Sequence, residues 1–259
     1  MFVSVIPALV EALSTGRLDI LDLTAPLSPE TPVLQLPEPF ANTIPLALEK
    51  VSDFDAAGPF WSWNNIHTGE HTGTHLDAPV HWASGREGLS VDRIPPARLI
   101  GPAVVADFTA QAAADADFLL EPAHLDAWVA EHGPLPAGCW LLFRTGWGSR
   151  SADPVAFANA DGNGPHTPGV SAAGAQWLAA SPITGFGVET VGIDAGQAGG
   201  LEPPFPVHYH LLGADKYGLT QLQNLDRLPV TGAVLVVAPL PIVGGTGSPA
   251  RVYALVERD

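Results

Sequence analysis

The sequence has few cysteines and few basic residues, and both shortages limit what the chain can do. Cys139 is the one cysteine among 259 residues, so an intramolecular disulfide is excluded and a reducing compartment, the cytoplasm, is expected. Eleven lysines and arginines stand against 27 aspartates and glutamates, which gives a net charge of −16. Binding to nucleic acid or to an anionic membrane needs clustered positive charge, and the sequence has no such cluster. We therefore expect neither as a partner.

Long apolar runs and several catalytic signatures are also absent from the sequence. No uninterrupted apolar run approaches the roughly 20 residues that a membrane span needs. The opening run MFVSVIPALVEALSTGR lacks a basic region and carries Glu11, so it predicts a docking helix rather than a signal peptide. There is no G-x-S-x-G elbow, Walker loop or dinucleotide fingerprint. Gly244, Gly245 and Gly247 lack the fingerprint's spacing and predict a turn.

The apolar pattern predicts one α/β domain that spans residues 1–259. An apolar fraction of 46% supports a globular core, and strands and helices interleave along the chain. Residues 25–60 and 145–168 predict irregular segments, the second a long functional loop. Helices are expected near 5–15, 121–132, 171–180 and 207–212, and strands near 18–23, 101–108, 139–143, 185–194, 233–238 and 251–257. The helices disfavour an all-β cupin, which also clusters histidines.

Histidine is concentrated in one short segment. Four of the nine histidines fall within residues 67–81, together with Asp77. The glycines, threonines and proline between them disfavour a helix. In an extended chain His75 and Asp77 point to the same face, because side chains repeat every two residues. His71 joins them if Gly73 lets the backbone turn.

Two imidazoles and one carboxylate make a mixed nitrogen and oxygen metal site. Zn²⁺, Mn²⁺ and Fe²⁺ all suit such a set, and the residue types do not choose among them. His71 and His75 have the separation of the helical zinc-protease motif, but no glutamate follows His71, so that site is excluded. A metal that only fastens a loop is the alternative to a catalytic metal, and a closed four-ligand shell would indicate it.

The segment also resembles a known signature. The run from His71 to His81, HTGTHLDAPVH, resembles the H-x-G-T-H-x-D-x-P-x-H pattern of the metal-dependent cyclase-like hydrolases, which include bacterial kynurenine formamidases and isatin hydrolases. Weaker similarity covers residues 142–147, 192–194, 208–212 and 224–228. The resemblance implies a mixed β-sheet with a barrel-like core and flanking helices, the swivelling β/β/α type of α/β fold.

The resemblance also implies roles for single residues. It implies that His71, His75 and Asp77 are metal ligands. His81 would lie beside the metal as a ligand of a second ion or as the group that transfers the water's proton to the leaving nitrogen. His208 would share this transfer or orient the oxyanion.

Two departures from the family pattern affect the expected chemistry. The family's second-site glutamate falls on Thr220, which cannot bridge two ions, and Gln221 beside it is the candidate fourth ligand. One divalent metal is therefore expected, Mn²⁺ before Zn²⁺, as in the isatin hydrolases. The family's serine and acid after residues 192–194 are replaced by Gln197 and Gly199, which predicts a substrate preference unlike that of a formamidase.

The resulting expectation is a metal-dependent amidohydrolase that opens a small aromatic or cyclic amide, an isatin-like ring, with metal-activated water. An arylformamidase acting on N-formylkynurenine and a metal-dependent cyclase or dehydratase are the alternatives. Phe60, Trp61 and Trp63 precede the ligands and predict an aromatic wall for a flat substrate. The resemblance implies a homodimer or larger assembly, formed through the N-terminal helix.

Overall fold

The computed structural model describes residues 4–36 and 38–258. Within these ranges the chain forms five α-helices, and none of them is long and apolar enough to cross a membrane. The helices are α1 (Val5–Ser14), α2 (Thr109–Ala114), α3 (Pro122–His132), α4 (Pro154–Ala158) and α5 (Ala172–Ala180). A single π-helical turn, His208–Leu212, occupies the position where a short helix was predicted.

Fourteen strands occur in the same described ranges. They are β1 (Leu18–Asp22), β2 (Ala47–Asp53), β3 (Ser62–His67), β4 (His75–Asp77), β5 (Ile100–Asp107), β6 (Leu119–Leu120), β7 (Trp140–Arg144), β8 (Ala160–Asp161), β9 (Gly164–Pro165), β10 (Gly169–Val170), β11 (Gly185–Val188), β12 (Tyr217–Thr220), β13 (Ala233–Pro239) and β14 (Gly247–Glu257).

Seven of the strands close into a barrel. The hydrogen-bonded order is β14, β13, β5, β7, β11, β12 and β4, and β4 pairs with β14 to complete the circle. The pairs β5–β7, β7–β11 and β11–β12 are parallel, and the other pairs are antiparallel. β1 adds to β14 from outside the circle. The predicted mixed, barrel-like core with flanking helices is therefore confirmed.

The apolar core has two layers because both faces of the central strands are buried. Along β5, Ala103 and Val105 belong to the cluster inside the barrel, whereas Val104 and Ala106 belong to the cluster outside it. Helices α3 and α5 cover this outer cluster with Leu125, Trp128, Ala175 and Leu178. Burial on both faces explains why the predicted interior strands are continuously apolar rather than alternating.

Two segments predicted to be irregular contain regular structure. Residues 25–60 include β2, which forms a hairpin with β3, and apart from the buried Ser52 its residues are exposed. No apolar alternation reveals this hairpin because neither face packs on the body. Residues 145–168 include α4, which Asp153 caps, and the small β8–β9 hairpin. These elements are too short to show a period.

Candidate functional site

The strand that carries the predicted ligands is the strand that closes the barrel. In β4, His75 lies opposite Thr220 of β12, and Asp77 lies between Gly218 of β12 and Gly247 of β14. His75 and Asp77 are two residues apart and therefore share a face. Because both residues paired with Asp77 are glycines, neither has a side chain that fills the space beside the carboxylate.

The imidazole nitrogens of the predicted ligands converge on Asp77. The Nδ1 atom of His71 lies 2.7 Å from Asp77 Oδ1, and the Nε2 atom of His75 lies 3.3 Å from the same oxygen. Gly73 adopts a φ of 63°, the left-handed turn that brings His71 back to the site. The Gly73 carbonyl accepts a hydrogen bond from His75 Nδ1 at 2.7 Å, so the lone pair on Nε2 of His75 is the one that can bind a metal ion.

The electrostatics of Asp77 also suit a cation. Burial opposes ionisation of this carboxyl, but the imidazoles of His75 and His71 outweigh it and hold the pKa of Asp77 well below its usual range. A buried carboxylate with two imidazoles at contact distance is a donor set that fits Zn²⁺ or Mn²⁺. The Oε1 atom of Gln221 is buried and has no hydrogen-bond partner within residues 4–36 and 38–258.

His81 lies directly against the ligands. Its ring stacks on that of His71 with centroids 3.9 Å apart, and one donor atom each from His71, Asp77 and His81 lie within 4.8 Å of one another. Burial lowers the pKa of His81 to about 3, so its imidazole is neutral near neutral pH.

His208 enters the site from the π-helical turn. Its Nδ1 atom donates to Asp194 Oδ2 at 2.5 Å, and its Nε2 atom lies 3.9 Å from Asp77 Oδ2. Burial lowers the pKa of His208, but the hydrogen bond to Asp194 and the negative charges of Asp194 and Asp77 together outweigh burial, and the net pKa is raised. His210, two residues on, packs edge-on against Tyr209, so His208 is the histidine that faces the ligands.

A cavity of about 350 Å³ opens beside His208 and Asp194. Its apolar lining includes Leu34, Leu36 and Phe205. The volume falls in the range of small-molecule sites, which typically measure about 300–1,000 Å³. Trp82 connects the cavity to the histidines, because its ring lies 4.7 Å from that of His208 and 5.7 Å from that of Phe205.

The predicted aromatic wall lies elsewhere in the chain. Phe60, Trp61 and Trp63 stand at the β2–β3 hairpin with 83%, 47% and 57% of their surface exposed. Within the described ranges, their ring contacts are with one another and not with the histidines. The structure thus brings together His71, His75, Asp77, His81 and His208. The three aromatic rings of the hairpin do not reach this group within the same chain.

The two candidates for the family's glutamate position have different surroundings. Thr220 Oγ1 lies 2.8 Å from His75 Nδ1, so it supports a ligand. Gln221 donates from Nε2 to Pro32 O at 3.1 Å and keeps its Oε1 unpartnered.

Sequence reasoning missed three groups at the site. Asp194 ends the predicted strand near 185–194 with no sequence sign of its role, yet its carboxylate accepts a hydrogen bond from His208 Nδ1. Thr246 lies in the glycine turn, and its Oγ1 is 2.9 Å from His71 Nε2. Trp82 follows His81 directly. Only proximity in sequence could have indicated Trp82, and no local signal links Asp194 or Thr246 to the histidines.

Comparison with known proteins agrees with the motif. The Cyclase family model matches residues 21–195. The isatin hydrolase of Roseibium aggregatum is 46% identical over 258 residues, 98% of each chain. The kynurenine formamidase of Salinibacter ruber is 30% identical over 195 residues, 72% of this chain and 76% of that protein.

A solved structure gives the same result for the fold. A crystal structure of an isatin hydrolase bound to the product analogue thioisatinate has a TM-score of 0.96 and 46% identity, and the match covers 98% of each chain. The resemblance that the eleven-residue signature predicted, including the isatin hydrolase branch, is thus confirmed. The chain belongs to the Cyclase family and is an enzyme of that family.

Proposed function

We propose that this enzyme is a metal-dependent hydrolase that opens the amide ring of isatin or of a closely similar bicyclic amide. The observation that carries the proposal is the convergence of His71, His75 and Asp77 next to His208, which lines an apolar cavity of about 350 Å³. The similarity to isatin hydrolases over 98% of the chain supports the choice of ring.

His71, His75 and Asp77 would hold one divalent cation, with Gln221 Oε1 as the fourth protein ligand. The unpartnered state of that oxygen supports its role, because a buried amide oxygen without a partner is costly. Mn²⁺ is the first choice and Zn²⁺ the second. When bound, such a cation polarises the amide carbonyl and lowers the pKa of a coordinated water.

The proton transfer falls to His208 in this proposal. Asp194 holds its Nδ1–H, so Nε2 points towards Asp77 and towards the reacting groups. The raised pKa of His208 suits a group that accepts a proton and then donates it to the departing nitrogen. His81, with its pKa lowered to about 3 by burial, stays neutral and orients the reacting groups through hydrogen bonds.

The substrate would lie in the cavity against Phe205 and Trp82, whose faces suit a flat ring. Phe60, Trp61 and Trp63 could then line a site only from a second copy of the chain. Their exposure supports a homodimer or larger assembly, in which the β2–β3 hairpin, rather than the N-terminal helix alone, makes contacts.

We further propose one hydrolase domain over residues 1–259. Strand β1 near the start of the chain pairs with β14 near its end, which supports this view. A cytoplasmic location stays a prediction.

Parallel assays test this function. The purified protein, loaded with Mn²⁺, is given isatin and N-formylkynurenine, and His71→Ala serves as the inactive reference. Faster turnover of isatin, lost in the variant together with bound metal, is expected. Turnover of N-formylkynurenine alone would favour the second candidate, the formamidase that the 30% identical relative suggests. Product without oxygen from labelled water would mean a cyclase or dehydratase instead.

A further inference from the structure

The glycine turn, residues 244–246, leads into Gly247 at the start of β14, which lies against the ring edge of the predicted metal ligand His71. A Cβ atom added at Gly247 would lie 2.6 Å from His71 Cε1 and 2.5 Å from the Leu76 carbonyl oxygen. Only glycine permits this approach. It places Thr246 Oγ1 at 2.9 Å from His71 Nε2, across 175 positions of sequence.

The hydrogen atoms of this contact can be assigned by counting donors. Thr246 Oγ1 lies 2.6 Å from Glu70 Oε2, and the Thr246 backbone N–H donates to the same oxygen at 3.1 Å. A carboxylate only accepts, so the one hydroxyl hydrogen goes to Glu70. The hydroxyl oxygen is then an acceptor for His71, so Nε2 of His71 carries a hydrogen. In the neutral imidazole Nδ1 then carries none, and its 2.7 Å contact with Asp77 Oδ1 brings two electron-pair donors together, as two ligands of one cation would lie.

We propose that Thr246 and Glu70 are positioning residues that hold His71 in its Nε2–H tautomer, so that Nδ1 is the atom offered to the metal. The inference rests on the metal site proposed above. His75 has the opposite arrangement, because its Nδ1–H donates to Gly73 and its Nε2 faces Asp77. The two imidazoles thus present different nitrogens to one point, and each is fixed by its own partner.

Metal affinity tests the relay without any measurement of turnover. Metal-free protein is titrated calorimetrically with Mn²⁺ as wild type, Thr246→Val, Thr246→Ser and Glu70→Gln. Thr246→Val keeps the shape but removes the acceptor, and it is expected to weaken binding about 10–100-fold. Thr246→Ser restores the hydroxyl and most of the affinity. Glu70→Gln falls between Thr246→Val and wild type.

Thr72→Val is the matched control, since its hydroxyl neighbours the same ligand but has no hydrogen-bond partner within the described ranges. It is expected to bind Mn²⁺ as wild type does. Wild-type affinity in Thr246→Val would overturn the relay, and so would equal losses in Thr246→Val and Thr246→Ser. If His71→Ala also binds Mn²⁺ unchanged, the proposed metal site itself is wrong, which is a separate failure.

A spectroscopic measurement reads the tautomer directly. In zinc-loaded protein, the imidazole ¹⁵N spectrum of His71 is expected to show a protonated Nε2 and a metal-bound Nδ1. His75 is expected to show the reverse. A protonated Nδ1 on His71 would overturn the inference.

Discussion

Asp194→Asn tests the hydrogen bonds that hold His208 without changing any predicted metal ligand. The carboxylate accepts three hydrogen bonds, from Val207 N at 2.7 Å and from His208 N and Nδ1 at 3.1 and 2.5 Å. Both hydrogen bonds from His208 end on Oδ2. If the asparagine oxygen keeps the bond from Val207, its NH₂ group takes the place of Oδ2 and cannot accept them. Hydrogen bonds to charged groups are worth about 1.5–3 kcal/mol each. Because the amide needs less desolvation than the carboxylate, the net loss is about 2–4 kcal/mol.

That loss is measurable in two ways. A chain of this size loses about 2 °C of Tm per kcal/mol, so the loss corresponds to a fall in Tm of about 4–8 °C. His208 also loses the group that fixes its tautomer, so kcat for isatin is expected to fall about 10²–10⁴-fold at unchanged metal content. Asp153→Asn is the control, because asparagine caps a helix as well as aspartate does. Wild-type kcat and Tm in Asp194→Asn would refute the reasoning.

Three further changes test other parts of the account. His81→Ala is expected to keep its metal while kcat falls at least about 100-fold, and loss of metal in elemental analysis would make His81 a ligand. The pKa of His166 is raised, first of all by its hydrogen bond with Asp117. The stability that this ion pair contributes is therefore fully present below about pH 6.5 and is lost as pH rises through the raised pKa. His166→Gln should flatten Tm against pH over that window, and parallel curves would contradict this. Trp61→Ser combined with Trp63→Ser should lower the mass in light scattering, and an unchanged assembly would exclude the hairpin from the interface.

The convergence of the predicted metal ligands could be predicted from the sequence because these residues are local. His71, His75 and Asp77 lie within seven residues, and a period of two with one turning glycine decides their direction. The family signature implied the barrel-like core, and the interleaved strands and helices predicted the α/β class. These features depend on short stretches of chain, and the structure places them as predicted.

The support of the site could not be predicted because it depends on barrel closure. Asp194 reaches His208 across 14 positions and Thr246 reaches His71 across 175, and no local pattern encodes either pairing. The β2–β3 hairpin was missed for another reason. It buries little in the chain alone, so it lacks the alternation that reveals a half-buried strand.

The most direct test of the proposed metal site is anomalous diffraction from crystals of the manganese-loaded protein. One manganese peak is expected, bonded to nitrogen atoms of His71 and His75 and to the Asp77 carboxylate, at about 2.0–2.2 Å. A peak that fails to touch all three side chains, or no peak in protein that still opens isatin, would contradict it.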